Sequence, residues 1–298
     1  MSEVYFDAPL DDDWRRPRLY DGALLVYGRH HAVQALCDHA RAMIEAAFAP
    51  HDPLHIDQVL AVEDCVAILA RLKPAFIHDA RTKQLLQELL AAFGCDPEET
   101  HFDVPRLRSA MPGDYLKSGI AYAFHPHRDT WYSAPPCQIN WWLPVYELAP
   151  DNGLAFHPRY WRQPIRNGSH AYNYARWNRE SRADAARHIK SDTRVQPHPE
   201  EALADDPDLR LVCRPGGMIL FSAAQLHSTV PNTSGIVRYS VDFRTVHRGD
   251  ARAWRGAPNI DSRCTGTTMG DYLRLRDLAG LPAELVALYD GAARRGAL

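Results

Sequence analysis

The sequence has no Cys-x-x-Cys pair, no long apolar run and almost no net charge, a formal −3 over 298 residues. Each of these absences excludes something. Six cysteines, at positions 37, 65, 95, 137, 213 and 264, stand singly, which argues against a zinc knuckle and against a disulfide framework and leaves reduced structural thiols as the expectation. Acids and bases are interspersed and nearly balanced, so the electrostatic footprint of a nucleic-acid binder is missing. No segment approaches the roughly 20 apolar residues of a membrane span. The opening residues, MSEVYFDAPLDDDWRRP, are acidic and lack an apolar core, so neither a secretory signal nor a transit peptide is expected, and a cytoplasmic location is. The Asn-x-Ser sequons at Asn167 and Asn232 carry little weight without an export signal. No repeat and no low-complexity tract stands out, and 46% apolar with 24% charged residues is an ordinary globular composition.

What is present divides the chain by texture. From His31 to Phe48, Val33, Leu36, Cys37, Ala40, Met43, Ile44 and Phe48 recur at helical spacing. A second helical pattern covers about 55–72, and a third runs from Asp79 as N-cap through Leu85, Leu86, Leu89, Leu90 and Phe93 to a stop at Gly94. Beyond Gly94 short aromatic and β-branched runs broken by Pro and Gly predict strands near 104–111, 118–127, 137–145, 153–157, 210–213, 217–222 and 236–246. Seven or more short strands suit a jelly roll. The polar, Arg- and Tyr-rich stretch 159–209, with a helical segment near 174–190, reads as an insert longer than the usual loop. A tail from 250 opens with a Gly- and Ser/Thr-rich loop and gives two short helices, the second opened by Pro282. The expected fold is mainly β with helical flanks, as one domain over 1–298: helices to about 100, a jelly-roll core over about 101–246 and a helical tail over 250–298.

Within FHPHRDTWYS, His127 and Asp129 lie two apart in an expected strand, where alternate side chains share a face. Far downstream, LFSAAQLHSTVPN ends a strand with His227. Two histidines and one carboxylate on one face suit a ferrous ion that must keep adjacent coordination positions open for a 2-oxo acid and dioxygen. A His-x-Asp pair alone is common, and a lone distal histidine is more often a hydrogen-bonded core or surface residue. Arg238 adds weight. In the strand IVRYSVDFRTV it shares a face with Ser240, while Val237, Tyr239, Val241 and Phe243 take the other. Its planar fork matches a carboxylate and would anchor the remote end of 2-oxoglutarate, the alternative being a surface salt bridge. In CQINWWLPVYEL, Gln138, Asn140 and Trp142 alternate with Ile139, Trp141 and Leu143. The first set suits a site wall that includes Asn140 among the cofactor-binding positions, whereas Trp141 is expected in the core.

The segments HPHRD, WWLPVYELAPDNGLAFHP, PGGMILFSAAQLHSTVPN and GIVRYS resemble the core of the phytanoyl-CoA dioxygenase-like branch of Fe(II)/2-oxoglutarate oxygenases, over roughly residues 100–246. The resemblance implies a double-stranded β-helix, cupin-like core, with iron on His127, Asp129 and His227 and the distal carboxylate of 2-oxoglutarate on Arg238. It also implies that Thr229 matches the family's hydroxyl residue two after the distal histidine, that Trp142 is an aromatic near the cofactor, and that Ser240 resembles the serine of an Arg-x-Ser motif. The family's usual Gly-Asp before the strand leading to the distal histidine is here Gly216-Gly217, a departure in turn structure. His125 offers a competing His-x-His pair with His127 and is read as a support or pocket residue.

The implied activity is oxidation, most simply hydroxylation, of a small molecule with consumption of dioxygen and release of succinate and CO2. Related halogenases leave the carboxylate position to chloride, so Asp129 points to oxygenation. Desaturation, epoxidation and ring formation stay open. A carboxylate-bearing metabolite, amino-acid-derived or secondary, is expected to meet Arg159, Arg128 or an arginine of the insert, although any one of these also reads as a solvated surface charge. Tyr160, Trp161, Tyr172, Tyr174 and Trp177 either line a lid or pin the insert down. Rival readings are a cupin-like isomerase or 2-oxoglutarate-independent dioxygenase, which leaves Arg238 without a role, and a non-catalytic jelly-roll binding protein. Neither substrate identity nor oligomeric state is legible.

Overall fold

Helical spacing framed by caps folds as it reads. In the computed structural model, which describes residues 2–121, 125–180, 194, 196–204 and 208–294, strand β1 (Val4–Phe6), helix α1 (Asp12–Tyr20) and strand β2 (Leu24–Tyr27) precede helix α2 (His31–Phe48). The bounds of α2 are those the sequence predicts, and Val33, Leu36, Cys37, Ala40, Ile44 and Phe48 form its buried stripe. The second helical pattern is instead a short 3-10 segment, Pro53–Gln58, followed by helix α3 (Val62–His78), which tolerates Pro74 and runs past the expected end. Asp79 caps helix α4 (Ala80–Ala92), its carboxylate accepting from Thr82 N at 2.7 Å. Gly94 stops the run at φ +72, where a Cβ would strike the Leu10 carbonyl oxygen.

Strands β3 (Thr100–Phe102), β4 (Arg106–Ala110), β5 (Ile139–Pro144) and β6 (Leu154–Phe156) follow, then helix α5 (Tyr174–Glu180), strands β7 (Leu209–Leu211), β8 (Met218–Ser222), β9 (His227–Thr229) and β10 (Arg238–His247), helix α6 (Arg248–Arg252), strand β11 (Leu273–Arg274) and helix α7 (Ala283–Arg294). They form two sheets. The larger has eight strands in the order β1-β2-β8-β5-β10-β3-β11, with β4 also on β10; the smaller is β7-β6-β9. Among the described residues the strands pair antiparallel except β1 on β2.

The architecture is thus mixed, with antiparallel sheets that close no barrel among the described residues. The N-terminal part is less purely helical than expected, because β1 and β2 extend the large sheet. The strand expected over 118–127 is absent from its described part: residues 119–121 form a 3-10 turn and His127 makes an isolated bridge, while 122–124 lie outside the described residues. The helical stretch expected over 174–190 is helical to Glu180 and lies outside the described residues from 181 on. In the tail, a 3-10 turn at Met269–Asp271 and β11 replace the first of the two helices, and α7 begins directly after Pro282.

Alternation in the large sheet gives it two different faces. Trp141, Leu143, Tyr239, Val241 and Phe243 pack with Leu36, Leu69 and Leu89 of the helices and with Phe93 just past the end of α4. On the other face Trp142, Ile219 and Phe221 meet Leu154 and Phe156 of the small sheet. Gly217 is needed where β8 begins, since a Cβ there would lie 2.6 Å from the Tyr27 carbonyl oxygen, which accounts for a glycine where the resembled family carries Asp. No helix among the described residues is long and apolar enough to cross a membrane.

Candidate metal centre and its cavity

Backbone pairing brings the two histidines together. His127 and His227 face each other across an antiparallel bridge, each N–H donating to the other's carbonyl, at 2.9 and 3.0 Å. His227 opens β9 rather than ending β8, after the turn over residues 223–226. Asp129 is not in a strand; it starts a 3-10 turn whose preceding residue, Arg128, is still extended at φ −109 and ψ 141. Extended backbone at that one residue suffices to return Asp129 to the side of His127. One ligand atom from each of His127, Asp129 and His227 then lies within 4.8 Å of the others. His127 Nε2 is 3.4 Å from Asp129 Oδ1, and the two imidazole centroids are 4.3 Å apart.

Each donor is oriented by a second contact. His127 Nδ1 lies 2.8 Å from the His125 carbonyl oxygen and His227 Nδ1 3.0 Å from that of Gln225. A carbonyl only accepts, so both Nδ1 atoms carry a proton and Nε2 is the ring nitrogen of each that is left to meet a cation. Asp129 Oδ2 accepts from Asn140 Nδ2 at 2.7 Å and from Gln138 Nε2 at 3.1 Å, which leaves Oδ1 toward the histidines. Gln138 Nε2 also donates to Asn140 Oδ1 at 2.8 Å, and its own Oε1 accepts from the Tyr272 hydroxyl at 2.7 Å. Tyr272, Gln138, Asn140 and Asp129 therefore form one buried hydrogen-bonded chain.

The protonation states suit a metal. Burial pushes the Asp129 carboxyl up, but the adjoining His127 and His227 and the Asn140 amide outweigh it and bring it to about 2. Burial, and then the neighbouring His127, push His227 down to about 4. At neutral pH the site is one carboxylate and a neutral imidazole at His227, a donor set of the kind that binds a divalent first-row cation.

The triad opens into a cavity of about 530 Å³ that is also lined by Arg238, Thr229, Trp142 and Asn140. Arg238 is 6% exposed; burial lowers its guanidinium to about 10, so it stays charged. Its Nη1 donates to the Gly153 carbonyl at 3.3 Å, its Nε has no partner among the described residues, and its Cζ lies 5.6 Å from the Trp142 ring. A buried cation with an unpartnered donor, in a cavity that also holds a carboxylate–imidazole cluster, fits an anionic ligand that spans the two.

No family model matches the chain, and no curated protein does. Solved structures to which it is similar include EvdO2 from Micromonospora carbonacea var. aurantiaca, at 14% identity over 79% of this chain and 91% of that one, with a TM-score of 0.47. AviO1 from Streptomyces viridochromogenes Tue57 matches at 15% identity over 85% and 99%, with a TM-score of 0.40. The epimerase SnoN, solved in complex with Fe3+, alpha ketoglutarate and nogalamycin RO, matches at 14% identity over 92% and 98%, with a TM-score of 0.41. At such identities and scores these likenesses fix no activity for this chain, and the side chains have to carry the reading.

Several expected site residues sit elsewhere or do something else. Arg128 is 1% exposed, and its guanidinium is consumed by Asp261 Oδ2 at 3.0 Å and the carbonyls of Ala224, Tyr160 and Gln163. It is a staple and does not line the cavity. Arg159 is exposed, donates to the Ala204 carbonyl and also stays outside the lining. The exposed His125 contributes its backbone carbonyl to His127, and its side chain is not in the lining. Ser240 shares the face of Arg238 but is 0% exposed and outside the lining. Asn140 lines the cavity with its amide turned to Asp129, which it supports. Of the insert aromatics, Tyr172, Tyr174 and Trp177 line the cavity, whereas Tyr160 and Trp161 belong to separate buried clusters. Gln138 was legible in the alternation of β5, but nothing in the sequence pointed to Tyr272.

Proposed function

We propose that this chain is a mononuclear Fe(II)/2-oxoglutarate-dependent oxygenase, a single domain built on a double-stranded β-helix of the phytanoyl-CoA dioxygenase-like kind. The observation that carries the reading is the pairing, in one cavity, of the His127, Asp129 and His227 cluster with the under-partnered Arg238. A cupin-like enzyme without 2-oxoglutarate would leave that buried cation unexplained, at an uncompensated cost of several kcal/mol. When bound, iron and 2-oxoglutarate supply the oxidising chemistry, in which dioxygen is consumed, succinate and CO2 leave and the substrate is oxidised.

The protein's own residues do the rest. His127, His227 and Asp129 Oδ1 would hold the metal from one side and leave the other open. Gln138 and Asn140 keep Oδ2 engaged, which favours a single carboxylate contact. Arg238 would grip the distal carboxylate of the co-substrate, with Thr229 and Trp142 as neighbours in the lining. The apolar Leu154, Phe221 and Trp142 exclude water on the sheet side. An intact carboxylate ligand favours oxygenation, with hydroxylation as the simplest outcome.

The decisive measurement is anaerobic addition of Fe(II) and then 2-oxoglutarate. The expected outcome is the weak visible charge-transfer band of the chelate, with Arg238→Ala requiring far more 2-oxoglutarate to reach it. Folded, metal-loaded protein that gives no band at saturating 2-oxoglutarate would remove this reading in favour of the cupin-like alternative.

A further inference from the structure

Where β4 and β10 meet, the cavity wall is a row of charges with a positive surplus. Arg106 pairs with Asp103, Arg244 bridges Asp103 at 3.0 Å and Asp242 at 3.5 Å, and Arg108 holds Asp242 through Nε at 2.6 Å and Nη2 at 3.3 Å. Three guanidiniums thus share two carboxylates, and burial pushes that of Asp103 up to about 8. Asp271, a further carboxylate of the lining, accepts from the Tyr174 hydroxyl at the Arg106 end of the row. The surplus therefore falls at the Arg108 end, where helix α3 adds Lys73 to the lining.

Lys73 has no carboxylate within ion-pair distance among the described residues. Its ammonium group donates to the Ile120 carbonyl and to Ser109 Oγ at 3.2 Å, two neutral acceptors for a group with three donors. Arg108 and Arg238 repel it, and Asp242, which attracts it, is already engaged by two arginines. The Cys65 thiol nearby is pushed up to about 11 by burial and brings no negative charge. Burial, and then Arg108, lower Lys73 to about 7. Arg194 of the insert, also in the lining, donates to the adjoining Gly119 carbonyl at 3.4 Å, so two cations bracket the turn at 119–121. A cation so enclosed is costly to keep without a counter-charge, and an oxyanion entering the cavity would supply one. Strands β4 and β5 flank β10, so this end stands two strand spacings, about 10 Å, from β5, whose Asn140 supports Asp129 of the triad. Between the two lie aromatic groups of the lining: Tyr132, edge-on to His127 with centroids 5.4 Å apart, and Tyr172, 5.3 Å from Tyr132.

We infer that the substrate is an organic oxyanion whose carboxylate or phosphate group rests between Lys73 and Arg108, with the carbon to be oxidised turned toward the triad. The cations are not the ones the sequence singled out, since Arg128 and Arg159 lie outside the lining. That the bound molecule is oxidised rests on the oxygenase reading; the anion subsite does not.

The test is calorimetric titration of anaerobic protein supplied with Fe(II) and saturating 2-oxoglutarate, the visible spectrum being recorded on the same sample. The probes are 4-phenylbutyrate, 3-phenylpropyl phosphate and the neutral 4-phenylbutanamide, in phosphate-free buffers. At least one of the two anions is expected to bind about tenfold or more tighter than the amide, the tighter of them identifying the substrate's group. Lys73→Met and Lys73→Gln are both expected to weaken that anion about tenfold and to leave the amide unchanged. The glutamine can still donate to the Ile120 carbonyl and Ser109, so it separates lost charge from a lost structural pin. Because Lys73 is lowered to about 7, an anion that restores its charge makes binding at pH 7.5 take up protons, read from titrations in two buffers of different ionisation enthalpy, and both variants should abolish the uptake. An amide that binds as tightly as the anions, no binding by either anion, anion affinity retained in Lys73→Gln, or an anion that displaces 2-oxoglutarate and bleaches the charge-transfer band would overturn the inference. A band without anion-selective binding removes the substrate inference alone; Lys73-dependent anion binding to protein that forms no band removes the oxygenase reading alone.

Discussion

Trp141 and Trp142 are adjacent in β5 and serve opposite sides of the large sheet. Trp141 stacks on Phe243 at 5.5 Å, meets Phe93 edge-on at 5.9 Å and donates its indole N–H to Thr245 Oγ1 at 2.8 Å. Trp142 belongs to the layer between the sheets and faces the under-partnered Arg238. On the helix side, even the polar groups of β5 and β10 are paired off internally, as between Trp141 and Thr245. On the cavity side, Arg238 Nε has no partner among the described residues and the triad is arranged so that it could hold a cation. A two-residue period thus separates stability from chemistry within single strands, and the separation can be tested by substitutions that should move one property and leave the other.

The largest expected effect is at the triad. Asp129→Ala should lower metal affinity by more than the roughly 100-fold that loss of a supporting contact costs, while the thermal midpoint without metal changes little. Equilibrium dialysis against Fe(II) and a melting curve measure the two properties separately. Next comes the helix face: Trp141→Ala should destabilise the fold by about 3–5 kcal/mol in urea unfolding, with metal stoichiometry of the folded fraction unchanged. Loss of metal binding in that variant at full folding would show that the two faces are not independent. Arg238→Lys keeps the charge and loses the fork. It should weaken 2-oxoglutarate by about 10- to 100-fold in the charge-transfer titration, in line with the roughly 1.5–3 kcal/mol of a charged hydrogen bond.

The smallest effect is expected at Tyr272→Phe. A tyrosine hydroxyl donating to Gln138 Oε1 dictates which way that amide faces, so its removal lets Nε2 turn away from Asp129. Metal affinity should fall by about tenfold, and the ligand-field spectrum of the Co(II)-substituted protein should change. An unaltered spectrum would limit Tyr272 to packing.

What could be read from the residues depended on how local the determinant was. Helix α2 was legible to its ends because its stripe lies within one element, and Asp79 announced α4 because a cap acts over three residues. The triad, with Arg238, was legible because motif order carries it. Strands β1, β2, β9 and β11, two to four residues each, are too short for alternation to register. Arg128 misled for a different reason: between His127 and Asp129 it resembles a substrate cation, and only the approach of Asp261 from the tail turns it into a buried staple. Tyr272 reaches Gln138 from equally far along the chain, and no spacing rule encodes such a meeting.

The mutual peptide clasp between His127 and His227 has a mechanical corollary. Two jaws riveted at their base cannot part without releasing what they grip. Slow amide hydrogen–deuterium exchange at these two positions would therefore track retention of a bound cation.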